Sequence, residues 1–128
     1  MRLLIDTHVF LWLMDSLKKV PDAVQAACGN PSNTLYLSIA SVWEMQIKIG
    51  KGKLVLRQPL PDILAEQQQE NGLLILPVGL EHLWALDELP ARHGDLFDRM
   101  LIAQAMVENM FLVSADQVFS EYPVKLFW

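Results

Sequence analysis

Apolar positions along this chain fall into short runs separated by stretches with helical spacing. Five runs have the length and content of strands: Leu3 to Ile5, Leu35 to Ser38, Leu73 to Leu76, Phe111 to Ser114 and Val124 to Phe127. The stretches between them read as helices. Val9 to Met14 is apolar nearly all round, Pro21 opens Asp22 to Ala27, and Ser41 is placed to cap Val42 to Ile49 before Gly50 stops it. Pro61 with Asp62 starts a further helix that ends at Asn71-Gly72, and Leu80 to Leu86 makes another. The best-defined helix runs from Asp95 to about Asn109, with Asp95 as its N-cap. Strands alternating with helices predict an α/β fold around a parallel sheet of about five strands.

Carboxylates stand where the apolar runs end. The first run stops at Asp6, and a late one stops at Ser114-Ala115-Asp116. In an open parallel sheet the crevice beyond the strand C-termini is where ligands bind. Glu44 and Asp98 lie on helices between these two acids. Asp98 shares a helical stripe with Ile102 and Ala105, the face expected to meet the sheet. Each acid also has a structural reading. Asp6 or Asp116 would cap the segment after its strand, Glu44 would pair with Lys48 at i,i+4, and Asp98 would occupy a capping-box position.

Composition narrows the choice. A chain of 128 residues with 52% apolar content has the material for one core, so residues 1–128 are read as a single domain. No apolar run approaches the roughly twenty residues of a membrane span, and a soluble, cytoplasmic, unprocessed protein is expected. The only cysteine, Cys28, excludes a disulfide framework or a thiolate zinc site and is expected to be a buried, inert thiol. A net charge of −5 argues against broad attraction to nucleic acid. Lys48, Lys51 and Lys53 nevertheless form a local basic strip after the helix carrying Glu44. Taken alone it reads as a solvated helix end, and beside a metal site it reads as a phosphate contact.

Hard divalent cations prefer oxygen ligands, and Mg²⁺ is usually held by one or two carboxylates with waters and substrate phosphates. Four acids can therefore serve one or two ions of Mg²⁺ or Mn²⁺. Paired ions can activate water and stabilise the leaving oxygen in phosphodiester cleavage. Other chemistries lack their motifs. There is no Gly-x-Gly-x-x-Gly, no phosphate loop and no Gly-x-Ser-x-Gly elbow. His8, His82 and His93 have no metal-ligand spacing, and His8 reads as a core imidazole in an apolar helix. An aspartyl-phosphate phosphatase would repeat the acid two places after Asp6, where His8 stands. A phospho-receiver domain would need its acid after the third strand, where the chain has Leu76-Pro77-Val78. Core packing is favoured over RNA stacking for Trp12, Trp84 and Trp128, while Trp43 beside Glu44 also suits an exposed partner surface.

Four blocks in this order resemble the PIN-domain family, specifically the toxin-like ribonucleases of bacterial type II toxin–antitoxin systems. They are Leu4-Ile5-Asp6-Thr7-His8; Ser38-Ile39-Ala40-Ser41-Val42-Trp43-Glu44; His93-Gly94-Asp95-Leu96-Phe97-Asp98-Arg99-Met100-Leu101-Ile102-Ala103-Gln104-Ala105; and Ser114-Ala115-Asp116 with Phe119. Leu96 stands where such sequences often carry Pro, and Ser114 where Thr is common. The resemblance spans essentially the whole chain and implies a three-layer α/β/α sandwich. It implies that Asp6, Glu44, Asp98 and Asp116 are the catalytic, metal-binding acids. Thr7 and Ser114 would orient carboxylates or a bound water, and Arg99 would pair with a carboxylate or touch the phosphate. The implied partners are an RNA substrate, a small antitoxin protein and a second copy in a homodimer or higher assembly. The alternative is a PIN-like module that binds RNA or protein without cleaving.

Overall fold

Five strands form one parallel sheet in the order β3-β2-β1-β4-β5: β1 (Arg2–Ile5), β2 (Thr34–Ser38), β3 (Leu74–Leu76), β4 (Phe111–Val113) and β5 (Leu126–Phe127). The computed structural model describes residues 1–90 and 94–128, so His93 lies outside the described residues. Ile5 pairs with Leu37 on one side and Val113 on the other, which brings the ends of β1, β2 and β4 to one level. Among the described residues six helices connect the strands: α1 (Thr7–Asp15), α2 (Asp22–Gly29), α3 (Ile39–Gly50), α4 (Leu60–Asn71), α5 (Leu80–Glu88) and α6 (Leu96–Glu108).

Alternation along the strands separates two cores. Leu3, Ile5, Leu37 and Val113 pack with Val9, Phe10, Val24, Met45 and Ile63 of α1 to α4. Leu4 and Leu112 face the opposite layer, with Leu101, Ile102 and Ala105 of α6 and the adjoining Phe119 and Tyr122. The result is the expected three-layer α/β/α sandwich.

The helix boundaries follow local chemistry. Asp95 caps α6 by accepting from the Asp98 amide at 2.9 Å, as its sequence position predicts. Gly72, at φ 65°, ends α4 in the left-handed conformation that glycine adopts without Cβ strain. One start differs from expectation. Ser38, not Ser41, caps the helix after β2: its hydroxyl accepts from Ala40 N at 3.0 Å, and α3 begins at Ile39. Ser41 is consequently inside the first turn and buried.

Candidate active site

The carboxylate of Asp6 lies where β1 turns into α1. Its amide continues the sheet by donating to Val113 O at 3.1 Å, while one carboxylate oxygen accepts from Val9 N at 3.0 Å and caps α1. The other oxygen accepts from the Ser114 hydroxyl at 2.5 Å. Ser114 in turn accepts from Asp116 N at 3.1 Å, and Asp116 caps the following 3₁₀ turn through Val118 N at 3.0 Å. One hydroxyl thus ties the Asp6 carboxylate to the backbone of Asp116 at the ends of adjacent strands. The structural reading of each as a cap is correct, and the caps also hold them at the crevice.

Burial pushes the Asp6 carboxyl above its ordinary range, against the lowering effects of Ser114, Val9 and the nearby His8. Asp116 is exposed, so the pair has a dry end and a wet end. Asp6, His8, Trp12, Ala115 and Asp116 line a cleft of about 310 Å³. Thr7, next in sequence, has a buried hydroxyl with no hydrogen-bond partner among the described residues, and Ser41 has another.

Glu44 is buried in α3 with its carboxylate 3.3 Å from Lys48 Nζ, the i,i+4 pair expected from spacing. Lys48 is therefore engaged, whereas Lys51 and Lys53 are exposed beyond the helix. Asp98 occupies the first turn of α6. Farther along α6, Gln104 reaches the strand ends, receiving the Ser38 hydroxyl at 2.5 Å and donating to Pro77 O at 3.2 Å. Asp98 lies six positions before Gln104, about 9 Å away along the helix axis. Among the described residues, no three His, Cys, Asp or Glu side chains gather closely enough to hold a metal ion. Asp6 and Asp116 line one cleft, while Glu44 stands on α3 and Asp98 in the first turn of α6.

The donor set is all oxygen and includes a desolvated carboxylate beside an unpartnered hydroxyl. That chemistry fits a hard divalent cation, which needs only one or two carboxylates when water and phosphate complete its sphere.

A match to the PIN domain family model spans residues 3–125. The chain belongs to the PIN domain family. This PIN domain is similar to a chain of the Rickettsia felis VapBC2 complex bound to a promoter DNA fragment, at 18% identity and TM-score 0.73, covering 100% of this chain and 99% of that one. It is also similar to a chain of Haemophilus influenzae VapBC-1, at 17% identity and TM-score 0.69, covering 99% and 97%. A chain of Neisseria gonorrhoeae FitAcB matches at 19% identity and TM-score 0.65, covering 98% and 96%. The curated proteins contain no match.

His8, Trp84 and Trp128 of the PIN domain differ from their sequence reading. His8 is exposed, not in the core, because it lies on the α1 face that borders the cleft. The satisfied core imidazole is His82, whose Nδ1 accepts from Gly79 N at 2.9 Å and whose Nε2 lies 3.0 Å from Glu108. Arg99 donates to the carbonyls of Leu86, Leu89 and Pro90, joining α6 to the end of α5. Trp84 and Trp128 are exposed, contrary to a core role, and Trp12 is half-buried. Trp43 is exposed as well, with its ring against Phe97. Cys28 is half-buried, and burial raises its thiol pKa, consistent with an unreactive side chain.

Proposed function

We propose that this PIN domain is a Mg²⁺- or Mn²⁺-dependent endoribonuclease and the toxin component of a toxin–antitoxin pair. The observation that carries the reading is the Asp6–Ser114–Asp116 chain of hydrogen bonds at the crevice of the parallel sheet. Asp6, Asp98 and Asp116 are the principal acids, with Glu44 as a direct ligand or one acting through water. Thr7 and Ser114 orient their neighbours, and Lys51 and Lys53 supply the phosphate contacts that Lys48, held by Glu44, supplies less readily. A bound cation would provide Lewis-acid stabilisation of the phosphodiester and of the leaving oxygen.

The toxin reading is supported by the likeness to chains solved in VapBC and FitAcB complexes. Exposed Trp43 against Phe97 gives apolar surface for an antitoxin or a second copy of the chain. No helix among the described residues is long and apolar enough to cross a membrane, in keeping with a cytoplasmic site of action.

Asp98→Asn tests the nuclease, because it keeps side-chain shape and removes charge. The purified variant should lose RNA cleavage while retaining its melting temperature within a few degrees; cleavage equal to wild type in excess Mn²⁺ would reject the site. The spread of the acids favours a second reading, a PIN domain that binds RNA or protein without cutting. Titration with Mn²⁺ separates the two, since the module predicts no saturable binding that depends on Asp6 or Asp98.

A further inference from the structure

Next to the Asp6–Asp116 cleft lies a set of rings that the catalytic reading leaves unused. Trp12, on α1, has its ring 6.2 Å from His8, tilted by 48°, and 6.0 Å from Trp128, tilted by 54°. Lys19 Nζ lies 5.6 Å above the Trp12 ring. Trp128 follows Phe127, which pairs with Val113, so it projects from the end of β5 beside the level of Ser114 on β4. Half-buried Trp12 forms the floor. His8 and Trp128 are the open rings, Trp128 being 41% exposed.

We infer that His8, Trp12 and Trp128 form a stacking subsite for an unpaired base of single-stranded RNA adjoining the Asp6–Asp116 cleft. The inference rests on the ribonuclease reading above. Rings with a cation over one of them match what single-stranded nucleic acid requires, base stacking with a nearby positive charge. Apolar surface for a protein partner lies elsewhere, at Trp43 against Phe97. Bases inside a duplex have covered faces, so the strip selects single strands.

The test uses the full chain carrying Asp98→Asn, so that RNA persists, with a labelled short oligouridylate in Mg²⁺. Adding Trp128→Ala should weaken binding about tenfold or more, the loss of one base–aromatic contact. Trp128→Phe should restore most of the affinity, Trp128→Leu should not, and Trp84→Ala, on α5, should change nothing. Affinity for a blunt RNA duplex should be the same with and without Trp128. On the cleaving wild-type background, Trp128→Ala should raise KM by a similar factor with kcat largely kept. Unchanged KM and affinity in a protein that still cleaves would overturn the subsite and leave the nuclease standing. If wild type neither binds nor cleaves RNA in Mn²⁺, the nuclease reading fails and the subsite falls with it. Self-association abolished by Trp128→Ala, with RNA affinity unaffected, would assign the strip to a second copy of the chain and overturn the inference.

Discussion

Asp6 is both a helix cap and a buried acid, and these roles pull its protonation in opposite directions. The Ser114 hydroxyl and the Val9 amide favour the carboxylate, but desolvation is the largest effect and raises the pKa above 3.8. A raised carboxyl pKa means that the folded chain holds its proton over a pH window where the unfolded chain has released it. Stability contributed by this group is therefore present near and below the ordinary value, falls as pH rises through the raised one, and is lost above it. Asp6→Asn should remove that penalty while keeping an acceptor for Val9. At neutral pH the variant should melt at a higher temperature than wild type. The gain should vanish only well below pH 3.8, where Asp6 is largely protonated in both states. Thermal melts across this range check it, and a variant less stable at pH 7 would show that hydrogen bonding to the charge outweighs burial. Cleavage by the same variant should be lost, an opposition of activity and stability expected at a functional carboxylate.

At the scale of elements, α6 positions the site through its side chains. Gln104 is fully buried and ties the helix to the ends of β2 and β3 through Ser38 and Pro77. Replacing it by Leu leaves Pro77 O without its partner and costs Ser38 its acceptor, while Ser38 still caps α3. The expected loss is about 1–3 kcal/mol, measurable as a lower urea midpoint at unchanged slope. Ser38→Ala should be non-additive with it, because the two share a hydrogen bond. These dependencies explain what could be read from the chain. The strand runs and the Asp95 cap were legible because each rests on local spacing. Ser38 and Ser41 are equally good caps by residue type, and the choice is made by where β2 stops pairing with β1 and β3. Gln104 has no local signature as a strut, since its partners lie 66 and 27 residues away. Exposure of His8 and Trp128 was likewise hidden: an apolar sequence around α1 does not reveal which of its faces borders a cleft.

For the molecule as a whole, the net charge of −5 and the local lysines lead to opposite expectations for RNA. Acidic surface repels a polyanion, and steering toward the crevice must come from a few cations. Lys48 is paired with Glu44, which leaves Lys51 and Lys53, exposed after the end of α3, as the contacts most available to phosphate. Each phosphate neutralised on a single strand contributes about −0.7 to the slope of log affinity against log salt. Two contacts therefore predict a slope of about −1.4, and raising salt from about 50 to about 200 mM should weaken oligonucleotide binding roughly sevenfold. Lys51→Ala combined with Lys53→Ala should bring the slope close to zero while leaving the Asp98-dependent cleavage step intact at saturating RNA. Both can be measured by anisotropy and single-turnover kinetics at fixed Mg²⁺. A slope of much larger magnitude would mean that RNA follows another basic path across the protein, and an unchanged slope in the double variant would remove the lysine strip from the binding surface.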